Sequence, residues 1–133
     1  YYSRHDYEAV PTEAANALMQ GLRNRLDGLA GTTVAGLEVS AAEEFSYHDP
    51  VDGSVSHNQG LRIWFAGEAR AVLRLSGTGT EGATLRVYLE QYAGPDADHA
   101  LTPDAALQAV RDAVVEITDM QALIGRTEPD VKT

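Results

Sequence analysis

Two short runs of alternating apolar and polar residues, joined by a glycine-rich connection, constrain the fold of this chain more than any other feature. The runs are residues 71–75 and 83–89. Each places leucine or valine at every second position, which is typical of a strand with one buried face. Two such strands joined by a short polar segment predict an antiparallel β-hairpin.

The connection, residues 76–82, has the composition of an anion-binding turn. Glycine adopts positive φ and lets a ligand approach backbone N–H groups closely, while hydroxyl side chains add further donors. The segment combines three glycines with three hydroxyl residues: Gly77, Gly79 and Gly82 with Ser76, Thr78 and Thr80. Such a row of donors predicts that an anion binds at the end of the hairpin.

Arg74 and Arg86 bracket this segment, each on the strand face opposite the leucines. Guanidinium groups match phosphate oxygens in pairs, so the pattern favours a phosphate site. The predicted site residues are Arg74, Ser76, Gly77, Thr78, Gly79, Thr80 and Arg86. Composition alone leaves a second interpretation open, in which the loop binds nothing and the arginines pair with nearby carboxylates.

The segment differs from nucleotide-binding loops. It lacks the lysine and the following helix of a Walker-type phosphate loop, and it lacks the strand-to-helix context of a dinucleotide fingerprint. Nucleotide binding is therefore not expected.

Residues 74–86 resemble the phosphate-binding loop in the C-terminal domain of the α-D-phosphohexomutases. The resemblance is to the phosphoglucomutases, the glucose-phosphate-specific branch of this family. The phosphomannomutase branch has a shorter Ser-Gly-Thr-Glu-Pro form, whereas residues 79–82 fit the longer one. Three further segments agree in the same order along the chain: residues 2–8, 49–60 and 125–129. The resemblance thus covers nearly the whole chain.

The resemblance implies a role in interconverting glucose 1-phosphate and glucose 6-phosphate, through a phosphoserine on another domain, magnesium and glucose 1,6-bisphosphate. This chain would hold the phosphate that is not being transferred. Ser76, Gly77 and Thr78 would supply hydroxyl and backbone donors, and Arg86 a charged partner. Arg74 would be either a second charged partner or a structural brace. Phosphosugars and the other domains of the same chain are the implied partners.

A length of 133 residues corresponds to one domain, not to a four-domain sugar mutase. The resemblance implies that the family's phosphoserine, magnesium and sugar-selecting loops lie on other domains, so we expect no catalytic residue here and no independent turnover. Residues 1–8 are interpreted as a connection or hinge to a preceding domain, and residues 9–133 as the phosphate-binding domain.

The net charge of −10 argues against a nucleic-acid or anionic-membrane surface, which requires a basic face. The chain has no cysteine and no long apolar run, so we expect no disulfide framework, signal peptide or membrane span, and a cytoplasmic location. The four histidines, His5, His48, His57 and His99, lack the spacing of metal ligands, so no metal or other cofactor is expected in this chain.

The remaining elements complete an α+β fold. A helix is expected from residues 11–13 to 27–28, with apolar positions Val10, Ala14, Leu18, Leu22 and Leu26. A short strand is expected at 34–40, a long polar loop at 45–60, and a further strand at 61–65 that turns at Gly67. A second helix should start at 102–104 and end near Gly125.

These elements predict a four-stranded antiparallel sheet with two helices packed on one face, leaving the face of Arg74 and Arg86 open. The resemblance implies a TATA-binding-protein-like arrangement. A second functional class stays open at this point, namely a stand-alone phosphate-sensing or protein-interaction module built on the same scaffold.

Overall fold

A computed structural model describes residues 1–48, 55–79, 82–92 and 103–133, without the side chains of 45–48, 55–59, 76–79 and 103–106. The elements are β1 (Tyr2–Val10), α1 (Thr12–Leu29), β2 (Thr33–Val34), β3 (Leu37–His48), β4 (Val55–Phe65), β5 (Ala69–Gly79), β6 (Gly82–Gln91), α2 (Pro103–Thr118), α3 (Met120–Ile124) and β7 (Val131–Lys132). The expected α+β class is confirmed.

The strands form one antiparallel sheet in the order β2-β3-β4-β5-β6-β1-β7. The described part of the chain therefore has seven strands and three helices, and the prediction of four strands and two helices was wrong. The inward side chains of β1 are polar or aromatic, namely Ser3, His5 and Tyr7, so this strand lacks the aliphatic alternation that reveals the others. The strands β2 and β7 have two residues each, too few to show a period.

The first strand lies inside the sheet, between β6 and β7. Tyr2 lies opposite Glu90, and Asp6 lies opposite both Arg86 of β6 and Val131 of β7. Residues 1–8, interpreted above as a connection, thus belong largely to a strand of the sheet. Their link to a preceding domain, and the boundary at residue 9, stay predictions.

The strands β3 and β4 extend beyond the ends expected from the sequence. Tyr47 pairs with Ser56 and His48 with Val55, so most of the predicted 45–60 loop is strand, and that prediction was wrong. Backbone hydrogen bonds hold this hairpin where hydrophobic alternation is missing from the sequence. Residues 49–54, at the tip, lie outside the described residues.

The helices cover one face of the sheet and enclose the core. From the sheet, the fully buried side chains include Leu61, Ile63, Leu73, Leu85 and Leu89. They meet Leu18 and Leu22 of α1, Leu107 and Val110 of α2, and Met120 of α3. The predicted packing of helices on one face is confirmed. None of the described helices combines the length and apolarity needed to cross a bilayer.

The C-terminal helical segment is broken where the sequence predicted one continuous helix. Asp119 adopts a left-handed conformation with φ 56°, which ends α2 at Thr118 and starts α3 at Met120. The predicted end near Gly125 is confirmed, because Gly125 follows α3 with φ 72°. Thr102, the first residue of the expected start at 102–104, lies outside the described residues.

A bulge bends β1 near its end, where Glu8 and Ala9 lie opposite one residue of β6. Ala9 has φ 52°, and a bulge leaves backbone groups without ladder partners. The C-terminal segment supplies those partners. Asp130 Oδ2 accepts the Glu8 N–H at 2.7 Å, and the Arg126 guanidinium donates to the Glu8 carbonyl while pairing with Asp130 at 2.9 Å.

The same C-terminal segment covers the inward side chain of Tyr7. The Tyr7 hydroxyl donates to the Thr127 carbonyl at 2.9 Å, and burial raises the pKa of Tyr7 to about 12. Arg111 ion-pairs with Glu128 next to it. Burial is the largest single effect on Arg111 and opposes its charge, but the hydrogen bond and charge of Glu128, together with the charges of Tyr7 and Asp112, outweigh burial and raise the Arg111 pKa. The same hydrogen bond lowers the pKa of Glu128. These contacts fix the chain end against β1.

Gly82 is the residue of β6 that this bulge constrains most. It has φ +93°, and a Cβ there would lie 2.8 Å from the Val10 carbonyl oxygen. We expect Gly82→Ala to lower the free energy of unfolding by at least about 2 kcal/mol, from backbone strain and this clash. Gly21→Ala is the control, because Gly21 lies in α1 with open space around a Cβ, and it should stabilise by about 0.5–1 kcal/mol. Urea unfolding measures the free energy of unfolding of both variants. Equal stability of Gly82→Ala and Gly21→Ala would contradict the constraint placed on Gly82.

The raised pKa of Tyr7 predicts a stability loss at alkaline pH. The unfolded chain releases this proton near pH 10 and the folded chain near 12, so the contribution is complete below pH 10 and is lost as the pH rises toward 12. The loss should reach roughly 2 kcal/mol. Tyr7→Phe should be about 1 kcal/mol less stable than wild type at pH 8, through the lost hydrogen bond. That difference should shrink above pH 10 in urea unfolding, while the exposed control Tyr92→Phe follows wild type. A constant difference from pH 8 to 11.5 would refute the prediction.

Candidate functional site

The two arginines that bracket the predicted anion turn lie directly opposite each other. Arg74 of β5 pairs with Arg86 of β6, and the neighbouring pairs Leu73↔Val87 and Leu75↔Leu85 point to the helices. Both arginines therefore lie on the outer face of the sheet, as predicted. The Arg86 side chain is 44% exposed, so it is accessible to a ligand.

This placement concentrates positive charge at one point of an acidic protein. Directly opposed positions in an antiparallel pair have Cβ atoms roughly 5 Å apart, and like charges there destabilise the sheet. An anion between the two guanidinium groups would convert this repulsion into two charge-assisted contacts. The register therefore places two guanidinium groups where one dianion could contact both.

The backbone beyond Arg74 is strand where the sequence predicted loop. Ser76 pairs with Thr84 and Gly79 with Gly82, so β5 continues through Gly79 and the prediction of a loop from residue 76 was wrong. Between these pairs, two residues of β5 lie opposite one of β6, which is a second bulge, at Gly77 and Thr78. Bulges redirect strand ends and are frequent next to functional sites.

Not every predicted site residue is described to the same depth. The backbone of Ser76, Gly77, Thr78 and Gly79 lies in β5, whereas their side chains and the whole of Thr80 lie outside the described part of the chain. The positive φ expected of the turn glycines is present at Gly82. The structure thus brings Arg74 and Arg86 together and places the backbone of 76–79 next to them along β5. Phosphate binding by these residues stays a prediction.

A carboxylate that the sequence analysis missed lies in the same row. Asp6 of β1 is opposite Arg86, and its Oδ1 lies 4.0 Å from Arg86 Nε and 3.1 Å from Arg4 Nε. Asp6 is only 5% exposed. The residue was assigned to a connection because β1 lacks aliphatic alternation. The sequence did carry a signal for a strand here, because the charged residues Arg4 and Asp6 are two positions apart and so lie on the same face of a strand.

The outer face carries more arginines beyond this row. Arg62 pairs with Glu43 at 3.1 Å, and Arg70 pairs with Glu90 at 2.5 Å. These two pairs follow the second interpretation of the sequence, in which arginines neutralise nearby carboxylates. Five of the ten basic residues lie on this face: Arg4, Arg62, Arg70, Arg74 and Arg86.

A shallow cavity of about 340 Å³ opens on the outer face next to Arg74. Its walls include three of these arginines with an aromatic and an acidic neighbour: Arg62, Arg70, Arg74, Tyr88 and Glu90. The lining therefore has two more positive than negative charges. The face next to the predicted anion turn is cationic even though the whole chain carries a net charge of −10.

Comparison with known proteins places the chain in a family. Residues 1–130 match the family model described as Phosphoglucomutase-1, C-terminal domain. The chain belongs to this family. The resemblance found in the sequence is thereby confirmed, and the match extends through β1 and the C-terminal segment.

Relatives from several kingdoms agree with the family match. The chain is 51% identical over 133 residues to a phosphoglucomutase of Rhizobium radiobacter, 43% identical over 136 residues to one of Schizosaccharomyces pombe, and 43% identical over 140 residues to a cytoplasmic phosphoglucomutase of Mesembryanthemum crystallinum. Each match covers 100% of this chain but only 24% of the relative. The chain thus spans about a quarter of the length of these phosphoglucomutases.

A solved structure supports the fold. The exocytosis-sensitive phosphoprotein pp63/parafusin of Paramecium, a phosphoglucomutase crystallised in an open form, is 38% identical to this chain with a TM-score of 0.78. The similarity covers 100% of this chain and 22% of that one. The arrangement of sheet and helices is therefore similar to that of a phosphoglucomutase domain.

The described side chains can be compared with the ligand sets that hold metal ions in proteins. Among the side chains that the structure describes, no three His, Cys, Asp or Glu residues come together in a way that would hold a metal ion. These described side chains therefore form no site for the magnesium that the family implies.

Inorganic phosphate should stabilise this protein. With a dissociation constant of about 1 mM, 20 mM phosphate adds roughly 2 kcal/mol to the free energy of unfolding. Urea unfolding at constant ionic strength, with sodium chloride as the reference salt, measures this increment. The double variant Arg74→Gln/Arg86→Gln should lose it, because both guanidinium groups are removed.

Arg70→Gln is the matched control for this measurement, since it removes a guanidinium from the same face and leaves the opposed pair intact. It should keep most of the increment. An equal increment in wild type and the double variant would show that phosphate acts on the protein only as a general stabilising salt.

Proposed function

We propose that this chain is the substrate-phosphate-binding domain of a phosphoglucomutase that interconverts glucose 1-phosphate and glucose 6-phosphate. The observation that carries the proposal is the direct opposition of Arg74 and Arg86, with Arg74 two residues before the Ser-Gly-Thr-Gly-Thr sequence of residues 76–80. The family match supports it. In this proposal residues 76–80 and the two arginines hold the phosphate that is not being transferred.

The two ends of the substrate must alternate in this site. A mutase that moves phosphate between the 1- and 6-positions presents either phosphate to the domain, so the domain recognises the phosphate dianion and not the sugar ring. Two guanidinium groups and a row of N–H donors fit that requirement, because they match phosphate oxygens whatever carbon bears them. Sugar selectivity belongs to other parts of the enzyme.

The site contributes to catalysis through binding energy remote from the reacting oxygen. Contacts to a non-reacting phosphate can orient the substrate and favour closure of the enzyme around it. The N-terminal residues 1–8 would then serve both as a strand of the sheet and as the connection to the preceding domain. Closure would move the whole sheet, since β1 is hydrogen-bonded between β6 and β7.

The chemistry itself is proposed to lie elsewhere in the longer enzyme. The phosphoserine, the magnesium ion and the glucose 1,6-bisphosphate intermediate that the family implies would act at other domains. This chain alone should bind weakly, because charge-assisted hydrogen bonds of about 1.5–3 kcal/mol each must offset an association cost on the order of 4–15 kcal/mol. A dissociation constant of about 1 mM or weaker is expected.

The location of the enzyme also remains a prediction. We expect a cytoplasmic enzyme, and a relative named as cytoplasmic supports this. Others among the relatives are named as chloroplastic.

An NMR amide-shift titration tests the proposed binding. Glucose 1-phosphate and glucose 6-phosphate should shift the resonances of residues 76–86 with similar affinity, whereas glucose should leave them unchanged. Arg86→Ala should weaken both phosphosugars by roughly tenfold or more, the equivalent of one charge-assisted contact. Phosphorus spectra of the same samples should show no interconversion.

Arg23→Ala is the control for a change of net charge, because its guanidinium pairs with Glu44, away from the arginine pair. Shifts that spread over the whole sheet, or equal shifts with glucose, would contradict a phosphate site. Turnover in the phosphorus spectra would contradict the proposal that the catalytic groups lie on other domains.

A further inference from the structure

Asp6 is a buried carboxylate on the otherwise open face that carries the arginine pair. Its side chain is 7% exposed, and it continues the row Arg74–Arg86 onto the next strand. Burying a carboxylate is costly unless cations compensate it. Arg4 Nε at 3.1 Å and Arg86 Nε at 4.0 Å supply that compensation.

Asp6 is the rigid member of this group. It lies in the middle of β1, between β6 and β7, and its carbonyl accepts the Asp130 N–H at 2.8 Å. The Arg86 side chain is long and 44% exposed, so its own strand position leaves the guanidinium many orientations. A fixed carboxylate next to a flexible guanidinium restricts where that guanidinium lies.

We propose that Asp6 is a positioning residue for the phosphate site. Its Oδ1 holds Arg86 Nε, so that the two terminal nitrogens of Arg86 face the gap toward Arg74, where the phosphate binds. The inference rests on the proposed function of that site. In the bound state the charges alternate along the row: Arg74 positive, phosphate negative, Arg86 positive and Asp6 negative.

The hydrogen-bonding state of Asp6 is consistent with this arrangement. Within the described residues its Oδ1 is a buried acceptor without a hydrogen-bond partner, although two guanidinium groups lie near it. In this proposal, the 4.0 Å separation between Asp6 Oδ1 and Arg86 Nε shortens to a hydrogen bond when phosphate engages the other edge of the guanidinium.

Two possible effects of Asp6 on phosphate affinity predict opposite results for Asp6→Asn. If Asp6 acts only by repelling the phosphate charge, Asp6→Asn should bind phosphate more tightly. If Asp6 positions Arg86, Asp6→Asn should bind phosphate more weakly, because Arg86 loses its orientation. The sign of the change therefore identifies the mechanism.

The experiment is a titration of the 133-residue protein with inorganic phosphate, followed by amide and arginine Nε–H shifts. Asp6→Asn should weaken phosphate binding roughly tenfold, the equivalent of one charge-assisted hydrogen bond. The matched control is Glu90→Gln, which removes a carboxylate from the same face but contacts Arg70. It should bind phosphate as tightly as wild type or more tightly.

Equal or tighter binding by Asp6→Asn, with wild type still binding, overturns the positioning proposal and leaves the phosphate site in place. An absence of phosphate shifts in wild type overturns the proposed function and this inference with it. In a protein that already carries Arg86→Gln, Asp6→Asn should cause no further loss of phosphate affinity, because the two residues act as a unit. A further tenfold loss of phosphate affinity in that double variant would overturn the proposal.

A second measurement needs no variant, in case Asp6→Asn does not fold. In wild type, phosphate should shift the Asp6 side-chain carboxyl carbon and the Arg86 Nε–H with the same dissociation constant. The Arg70 Nε–H should not follow that curve. A carboxyl carbon of Asp6 that is unaffected while Arg86 Nε–H shifts would contradict the contact.

Discussion

The cross-strand register between β5 and β6 is the constraint on which the candidate site depends. Side chains alternate with a period of two, so a slip of one residue in either strand would turn its arginine, Arg74 or Arg86, into the core and expose the leucines of that strand. Burying each leucine contributes roughly 2 kcal/mol, and a buried guanidinium without partners is strongly unfavourable. The hydrophobic core therefore holds the two arginines opposite each other, although their mutual repulsion opposes that arrangement.

The end of the hairpin depends on two irregularities that flank β6. One extra residue bends β5 opposite Ala83, and another bends β1 opposite Thr84. Gly82 fits against the bend of β1 because it has no side chain. The bend of β1 is stable because Arg126 and Asp130 supply the hydrogen bonds that the strand ladder lacks. The conformation of this end of the sheet thus depends on residues more than 100 positions apart along the chain.

Local patterns predicted much of the fold and part of the site. The two long helices, the central strands, the turn at Gly67, the positive φ of Gly82 and the outward position of the arginine pair were all visible as periodicity or turn chemistry. The number of strands was not, because β1 buries Ser3, His5 and Tyr7 instead of aliphatic side chains. The break at Asp119 was missed for a similar reason, since apolar periodicity continues across it into Met120 and Ile124. The donors Ser76, Thr78 and Thr80 stay predictions.

By itself, the sequence determined the features whose signal is local: amphipathic helices, alternating strands and a family motif long enough to be specific. The tertiary structure alone decided which strand lies beside β6, and hence that Asp6 lies next to Arg86 although the two are 80 positions apart. The physical reason is that hydrophobic periodicity specifies which face of a strand is buried, but not which strand pairs with it. That choice results from the packing of the strands and helices together.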